Sequence, residues 1–316
     1  MNNSSLKSVV TGLAGKLGFI KTGFALAESL KTEFDNFAWW LGAGFNAGMA
    51  WLEINTEKRQ DPSLVLEGAK TIIVTAYNYN TPFKHDDSPG SAKGKISRYA
   101  WGSDYHDIIL PKLKSIAQEI ESARPGTVSK CYVDTGPVLE RQWAVRAGIG
   151  WQGKNGNILT KDFGSWFFLG TIITTAEFEP DKPMENFCGK CTKCIDACPT
   201  GAILQPKVVD ARKCLSYWTI EAKSDREIPA EIAKNAKGWL YGCDICQDVC
   251  PWNRKPVYSA EPAFTPRNEE TSLDLQQIMN FTKEEYNERF RRSPVKRAKL
   301  EGLKRNIRDI FGLRIT

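Results

Sequence analysis

Residues 188–203 read CGKCTKCIDACPTGAI and contain four cysteines and a proline within twelve positions. The spacing, C-x2-C-x2-C-x3-C-P, is typical of ferredoxin-type segments, in which three thiolates bind one 4Fe-4S cube and the fourth thiolate binds a second cube. Such a segment supplies only part of each ligand set. The sequence should therefore contain a second segment that completes both cubes.

The second cysteine segment is YGCDICQDVCPWN at residues 241–253, which repeats the last three cysteines and the proline of the first. Leu240 stands where the remaining cysteine would be expected, and Cys214, in the stretch ARKCLSYWTI, is the nearby unassigned cysteine that should fill the gap. The predicted ligand sets are Cys188, Cys191, Cys194 and Cys250 for cluster 1, and Cys198, Cys214, Cys243 and Cys246 for cluster 2.

Clustered cysteines also occur in disulfide frameworks and in zinc sites. Disulfides require an oxidising compartment, whereas the first residues, MNNSSLKSVVTGLAGKLGF, show no signal-peptide pattern. A zinc ribbon would predict two separable C-x2-C pairs, so the crossed spacing, with a proline after each last cysteine, favours iron–sulfur clusters. Cys131 stays outside both sets and is expected to be a small buried hydrophobic residue.

The composition is that of an ordinary globular protein, since the 316 residues are 41% hydrophobic and 25% charged and leave room for two domains. The longest apolar run, near 166–173, is too short to span a bilayer. We therefore expect a cytoplasmic protein without membrane association. Because 187 residues precede the first cysteine segment, more than an electron carrier requires, the N-terminal part should house the electron acceptor.

The formal net charge of +6 arises at one end of the chain, where residues 281–316 contain 11 Lys and Arg against 5 Asp and Glu. Such a basic segment is typical of phosphate contacts. The alternative is a solvated helix face, because apolar and basic side chains recur at helical spacing on opposite sides. The apolar positions are Leu300, Leu303, Ile307 and Ile310, and the basic positions are Lys304, Arg305 and Arg308.

Mixed helix and strand patterns before residue 180 predict an α+β or α/β domain, with the cysteine segment packed against it. We expect divisions at 1–180, 181–260 and 261–316, the last being a basic helical tail. Helices are predicted as a pair within 5–30, broken at LGFIKTGF, and at 102–126 with an N-cap at Ser103 and Pro111 in the first turns. The other predicted elements are strands at 70–79 and 165–178, a strand, tight turn and helix within 130–151, and an exposed loop at 80–95.

Two apparent motifs do not fit their usual context. Residues 148–153 match the glycine pattern G-x-G-x-x-G, but they follow a predicted helix and precede a strand, the reverse of a dinucleotide-binding turn. Asp104 and His106 begin like the D-x-H-x-x-G loop of proteins that bind cobalamin through histidine, yet Ile109 stands where the glycine belongs. Neither motif is therefore assigned a function.

Several stretches resemble the epoxyqueuosine reductase family, whose members use cobalamin and iron–sulfur clusters to complete queuosine in tRNA. They occur in family order between residues 57 and 253, and a generic ferredoxin has no use for most of them. The matching stretches are EKRQDP, ISRYAWGSDYHDI, VDTGPVLERQWAVRAGIGWQGKN, CGKCTKCIDACPTGAI, RKCLSYWTIE and YGCDICQDVCPWN.

The resemblance implies a base-off cobalamin, bound without a histidine ligand in an α/β domain similar to those of reductive dehalogenases and nitroreductases. Electrons from an external low-potential donor of the flavodoxin or ferredoxin type would pass through the two 4Fe-4S clusters to form cob(I)alamin. The substrate would be tRNA carrying epoxyqueuosine at the wobble position, and the enzyme is expected to act as a monomer. Family members often continue into a HEAT-like helical domain, of which this sequence resembles only the first helix, so the basic excess within 281–316 is expected to contact tRNA phosphates instead.

The family pattern also implies roles for individual residues. Asp134 would be the proton donor, which requires burial or a nearby carboxylate to keep its proton at neutral pH, although an aspartate before a turn is also typical of an Asx turn or helix cap. The implied corrin contacts are Arg59, Ser97, Asp134, Lys154, Asn155, Ile158, Leu169, Ser216 and Gln247. The substrate-side candidates are Tyr105, His106, Arg141 and Gln142, with Trp151, Trp218 and Trp252 available to stack on bases or to pack in the core.

Two other functions stay open at this point. A two-cluster electron carrier with a large docking domain would contain iron and sulfide without cobalt. A reductive dehalogenase would share corrin and clusters, but those enzymes usually carry a twin-arginine export signal that this N-terminus lacks.

Overall fold

The computed structural model describes residues 3–85 and 92–313. Within these ranges the strands are β1 Lys21–Leu26, β2 Thr71–Asn78, β3 Lys93–Ile96, β4 Ser129–Tyr132, β5 Trp151–Gln152, β6 Ile158–Leu159, β7 Phe167–Thr174, β8 Ile203–Gln205, β9 Val208–Val209, β10 Trp239–Tyr241 and β11 Ser272–Asp274. The helices are α1 Asn3–Lys16, α2 Lys31–Gly42, α3 Thr56–Gln60, α4 Tyr105–Ala123, α5 Glu140–Arg146, α6 Lys193–Asp196, α7 Ala230–Ala233, α8 Ile245–Asp248, α9 Leu275–Asn280, α10 Lys283–Arg289 and α11 Lys299–Phe311.

The main sheet is antiparallel, with strand order β1-β2-β7-β4. β2 pairs with β7 along its whole length, from Thr71 opposite Thr174 to Asn78 opposite Phe167. All eight residues of β2 are buried, which explains its nearly continuous run of β-branched and apolar residues, since a strand covered on both faces has no polar side. The strands predicted at 70–79 and 165–178 therefore form the centre of this domain.

Helices cover both faces of the main sheet. On one face α1 and α4 pack on Ile73 and Ile172, and on the other α5 packs on Ile72 and Val74. Successive residues of a strand point to opposite faces, so the run Ile72–Val74 contributes to both cores at once. The predicted fold class, a mixed α/β domain joined to a two-cluster segment, is confirmed.

Two details near the first helices differ from the sequence predictions. The second helix expected within 5–30 is wrong, because residues 21–26 form β1 and α2 begins only at Lys31. At Gly23 in β1 a Cβ would lie 1.9 Å from the Ala147 carbonyl oxygen, so only glycine lets this strand approach the end of α5 so closely. The N-cap of α4 is Asp104 rather than Ser103, and its carboxylate accepts a 3.0 Å hydrogen bond from the His106 N–H.

A second sheet joins three distant parts of the chain in the order β10-β3-β11, with β3 parallel to β10 and antiparallel to β11. It packs against α9, α10 and α11 in one core that includes Trp101, Tyr241 and Leu303. The division at 180 and 260 stays a prediction, and this sheet takes one strand from each of the three predicted segments. Residues 86–91 of the predicted exposed loop lie outside the described residues.

The basic end of the chain is an integral part of this core. Leu300, Leu303 and Ile307 are buried as the helical spacing predicts, but the assignment of Arg305 to a solvated face is wrong, because only 1% of its surface is exposed. Its guanidinium donates to the carbonyl oxygens of Trp218 at 2.7 Å and Lys223 at 3.1 Å. Within the described ranges, no helix is both long and apolar enough to cross a bilayer.

Candidate functional site

The two cysteine segments fold into two similar halves. In the first, the one-turn helix α6 carries Cys194, and in the second the one-turn helix α8 carries Cys246. The two helices contact each other, so the repeated sequence places its cysteines around a common centre. Backbone amides face the sulfur atoms, as in the 3.2 Å hydrogen bond from the Ala202 N–H to Cys198 Sγ.

Cysteines from both segments meet at one cavity of about 230 Å³, whose walls include the rings of Phe187 and Trp252. Cys250 lies close enough to Cys188 for their charges to interact, and burial raises the pKa of its thiol. The cysteines that line this cavity, called set 1 below, are Cys188, Cys191, Cys194 and Cys250.

The remaining four cysteines of the two segments and the intervening stretch form a second group. Cys246 interacts electrostatically with Cys243, Cys214 and Cys198, and burial raises its pKa well above the usual thiol value. Burial likewise raises the pKa of Cys243. The structure therefore brings Cys214 to the position that the missing first cysteine left open, and Cys198, Cys214, Cys243 and Cys246 are called set 2.

The chemistry of these donors fits 4Fe-4S cubes. Four crowded thiols become thiolates together only where a positive centre compensates their charge, which a cube supplies. All nine cysteines, which lie in the described ranges, are free thiols. Nowhere in residues 3–85 and 92–313 do three or more His, Cys, Asp or Glu side chains converge on a single-ion site, and the ligands of a cube each bind a different iron. Ligation by these residues stays a prediction.

Set 2 is joined to the α/β domain by polar side chains that include three of the predicted corrin contacts. The Ser97 hydroxyl donates to the buried Asp244 carboxylate, and the Asn155 amide donates to the Cys246 carbonyl oxygen at 3.2 Å. Gln247 accepts a 2.8 Å hydrogen bond from the Ser165 hydroxyl. Ser97, Asn155 and Gln247 thus meet beside set 2, and Ser165 and Asp244 belong to the same network although the sequence did not suggest them.

The other predicted corrin contacts occupy different surroundings. Ser216 follows Cys214 in set 2, whereas Ile158 and Leu169 pack in the core under α5. Lys154 lies at set 1, where its ammonium donates to the Gly189 carbonyl oxygen at 2.8 Å. Arg59 is buried beside Trp51, and its Nε has no hydrogen-bond partner.

Asp134 follows β4 in a left-handed backbone conformation, with φ +55°. Its carboxylate accepts a 2.9 Å hydrogen bond from the Tyr105 hydroxyl, and its N–H donates to Glu140 Oε2 at 3.0 Å. The helix-cap alternative for Asp134 is wrong, because the residue before α5 is Leu139 and no side chain caps that helix. The Asp134 carboxyl is instead exposed and oriented by a tyrosine.

Glu140, the first residue of α5, is a functional candidate that the sequence did not reveal. Its Oε1 is buried without a hydrogen-bond partner beside the Thr171 hydroxyl. Burial, and then the charge of Asp134, raise the pKa of Glu140 to about 8. The signal in the sequence was a glutamate opening a helix directly after the aspartate loop, a position that usually indicates only a favourable helix start.

The substrate-side candidates divide into two places. Tyr105 stacks on Phe168, with ring centroids 4.2 Å apart, and on His106 at 4.1 Å. His106 Nδ1 lies 2.6 Å from Asp104 Oδ1 at the start of α4. On α5, Arg141 donates to the Gly156 carbonyl oxygen at 3.3 Å, and Gln142 is half-buried.

The three tryptophans considered for base stacking have structural contacts. Trp151 is 1% exposed beneath set 1, which excludes stacking on a base, and Trp252 packs against it with ring centroids 5.1 Å apart. The Trp218 indole donates to the Arg212 carbonyl oxygen at 2.7 Å. Cys131 is half-buried rather than fully buried, and burial raises the pKa of its thiol to about 11.

A mixed α/β domain joined to eight cysteines in two crossed sets defines a double-cluster iron–sulfur oxidoreductase. A family model for a 4Fe-4S double cluster binding domain matches residues 187–253, and a model described as epoxyqueuosine reductase QueG, DUF1730 matches residues 59–135. The chain belongs to the epoxyqueuosine reductase family, as its relatives show.

An epoxyqueuosine reductase from Synechocystis sp. is 44% identical over 268 residues, which are 84% of this chain and 91% of that protein. One from Gloeobacter violaceus is 42% identical over 304 residues, 95% of this chain and 93% of that protein. A crystal structure of epoxyqueuosine reductase with an epoxyqueuosine-modified tRNA-Tyr stem loop has a TM-score of 0.91 and 33% identity, and the match covers 98% of this chain and 82% of the other.

Proposed function

We propose that this chain reduces epoxyqueuosine to queuosine at the wobble position of tRNA, as a cytoplasmic monomer that uses base-off cobalamin and two 4Fe-4S clusters. The reaction removes the epoxide oxygen as water, which consumes two electrons and two protons. The enzyme must therefore bring a proton source close to an electron source.

The observation that carries this proposal is a continuous path of tyrosines between Asp134 and set 2. The Tyr105 hydroxyl donates to Asp134, and the ring centroids of Tyr105 and Tyr99 are 6.4 Å apart. The Tyr99 hydroxyl donates to the Tyr241 hydroxyl at 3.0 Å, and Tyr241 is two residues from Cys243. A plain electron carrier has no need of an oriented carboxylate at the end of such a path.

Asp134 is the proposed proton donor. Opening an epoxide places negative charge on oxygen, and a positioned acid that neutralises it contributes about 10²–10⁴-fold to the rate. Asp134 is exposed in a left-handed turn, and Tyr105 fixes the orientation of its carboxyl. An epoxyqueuosine reductase from Bacillus subtilis, 32% identical to this chain, is described with its aspartate-bearing catalytic loop swung out of the active site, which supports a mobile catalytic aspartate here.

Cobalamin, when bound, supplies a strongly reducing centre for cleavage of the carbon–oxygen bond. Ser97, Asn155 and Gln247 would hold it beside set 2, and Ser216 adjoins the same cysteines. The orphaned, buried Nε of Arg59 fits a ligand that brings its own hydrogen-bond acceptor, because a buried donor without a partner is costly. Asp134, Lys154, Ile158 and Leu169 complete the proposed set.

We propose that basic residues of the C-terminal part contact the RNA backbone near Asp134. Arg292 donates from Nε to Asp107 at 2.8 Å, and its carbonyl oxygen accepts from the Asp104 N–H at the start of α4. Arg297 lies close enough to Asp134 for the charges of the two side chains to interact. Arg292 and Arg297 are exposed, so we propose that they contact tRNA phosphates near the anticodon loop. We also propose that His106, Arg141 and Gln142 contact the modified nucleoside.

Electrons are proposed to come from a small low-potential donor of the flavodoxin or ferredoxin type and to enter at cluster 1. The residues next to the set 1 cysteines are exposed, including Lys190 and Lys193. Two lysines at this position suit an acidic electron carrier, because complementary charge accelerates encounter.

The test of the function is Asp134→Asn in anaerobically purified holoenzyme. The variant should retain both clusters, cobalt and affinity for the modified stem loop, and should lose about 10²–10⁴-fold in queuosine formation, because the amide has no acidic proton. Nucleoside analysis gives the rate, and metal analysis gives the cofactor content. Full activity would remove Asp134 from the reaction, and wild-type protein with iron but no cobalt would favour a two-cluster electron carrier.

A further inference from the structure

The reaction in the proposed function consumes two protons, whereas a single carboxyl group delivers one at a time. Two C–O bonds break, a C=C bond forms, and the oxygen leaves as water. A second proton must therefore reach the site after Asp134 has delivered its own. The source of that second proton is inferred here on the basis of the proposed function.

Glu140 is the carboxyl group that contacts the Asp134 backbone. Its Oε2 accepts the Asp134 N–H at 3.0 Å, which also helps to hold the left-handed turn. Its Oε1 has no hydrogen-bond partner although it is buried beside the Thr171 hydroxyl of β7. A buried carboxylate oxygen without a partner is unfavourable, whereas a protonated oxygen at the same place donates to a neighbouring hydroxyl.

We propose that Glu140 is a positioning residue that stores the second proton and returns it to Asp134 between the two protonation steps. The transfer moves one proton from the Glu140 carboxyl to the Asp134 carboxylate, leaving Glu140 ionised until solvent restores it. No electrons move in this step. Glu140 therefore acts through Asp134 and does not contact the substrate.

The electrostatic surroundings agree with this role. Of the groups that act on Glu140, the charge of Asp134 raises its pKa, whereas the Asp134 N–H, Arg141 on its own helix and the Thr171 hydroxyl of β7 lower it. Burial and the Asp134 charge together raise the pKa of Glu140 to about 8. Glu140 thus keeps its proton below about pH 8 and loses it as the pH rises through that value, so the stored proton is available at neutral pH.

The decisive variant is Glu140→Gln, whose amide oxygen still accepts the Asp134 N–H but which has no proton to transfer. We expect unchanged cluster content and stem-loop affinity, and a fall in kcat of about tenfold to 100-fold. The wild-type rate should decline as the pH rises through about 8, and this decline should be absent in Glu140→Gln. Glu140→Asp should recover part of the rate together with the pH dependence.

A matched control is Glu33→Gln on α2, because the Glu33 carboxylate accepts 2.7 and 2.9 Å hydrogen bonds from Arg146 at the far end of α5. It should lower thermal stability without changing the pH profile. In the holoenzyme, infrared difference spectra between pH 6 and 9 should show a carboxyl that titrates in wild type and Glu33→Gln but not in Glu140→Gln.

Three outcomes would overturn the inference while leaving the proposed function intact. They are wild-type kcat in Glu140→Gln, an unchanged decline at alkaline pH in that variant, or losses that only follow reduced cluster content or stability. If wild-type enzyme forms no queuosine in the same assay, the proposed function itself fails.

Discussion

Sets 1 and 2 arise from nearly the same local sequence, yet their surroundings are opposite. The residues between the first three cysteines of set 1 are largely exposed, among them Gly189, Lys190 and Lys193. Beside set 2, Lys213 is exposed next to Cys214, but most of the surroundings are buried, namely Leu215, Tyr217, Leu240, Tyr241, Gly242 and Asp244.

The difference teaches that cysteine spacing determines which thiols meet, while distant parts of the chain determine what each site is exposed to. Set 2 owes its enclosure to the second sheet, to α11 and to the π-helical turn at Tyr217–Glu221; β10 directly precedes Cys243, but β3, β11 and α11 come from distant parts of the chain. A site open to solvent suits exchange of electrons with a partner. An enclosed site beside the α/β domain suits delivery of electrons to a reaction from which water is excluded.

Replacing one cysteine ligand in each set should give the largest difference in stability between the two sets. Cys214→Ser should remove cluster 2, lower the iron content from about eight to about four per chain, and abolish queuosine formation. It should also lower the melting temperature, because four buried thiol positions lose their common centre. Cys191→Ser should remove cluster 1 with a smaller loss of stability, as iron analysis, electron paramagnetic resonance and thermal melting would establish. Equal loss of stability in the two variants would contradict the contrast between the sets.

A pair of arginines on α11 tests the enclosure of set 2. Arg305→Ala leaves the carbonyl oxygens of Trp218 and Lys223 without their charged donor, so the free energy of unfolding should fall by about 3 kcal/mol. Arg308→Ala, at an exposed position of the same helix, should change it by less than about 0.5 kcal/mol. Denaturant unfolding gives both values, and similar effects of the two substitutions would show that Arg305 does not support the site.

The smallest effect is expected at the surface of set 1. The double variant Lys190→Glu and Lys193→Glu should slow cluster reduction by a reduced acidic flavodoxin about tenfold at low salt, with the difference shrinking as salt is added. Reduction by the cationic methyl viologen radical should not be slowed. Lys16→Glu with Lys114→Glu, exposed lysines on α1 and α4, provides the same charge change elsewhere. Two results would contradict docking of the donor at Lys190 and Lys193. One is an equally large fall in the reduction rate in the control variant. The other is a fall in stem-loop affinity of the Lys190 and Lys193 variant as large as the fall in its reduction rate.

The central strands and the grouping of the cysteines could be predicted because both depend on local patterns. The β-branched run of β2 and the C-x2-C spacing each restrict their neighbours directly. Arg305 and Glu140 could not be predicted in the same way, since a charged residue at a helix surface position and a helix-opening glutamate are ordinarily solvated. Their burial results from contacts with residues 218–226 and with β7.

Three-stranded pairing in the order β10-β3-β11 could not be foreseen either. Its strands are three or four residues long and widely separated in sequence, so no periodicity indicates their pairing. β1 was not predicted for a related reason: most of it fell in the predicted break at LGFIKTGF, and the contact that excludes a side chain at Gly23 comes from the end of α5 rather than from neighbouring residues.

The same small sheet constrains the timing of cofactor insertion during protein synthesis. β10 ends two residues before Cys243, and it pairs with β3, whose other edge is covered only when β11 has been made. A ribosome that has translated the last cysteine must still produce about sixty more residues before α11 closes over the inner site. We therefore expect iron to reach that site most easily before α11 is complete, and prematurely terminated chains to leave the site open to solvent.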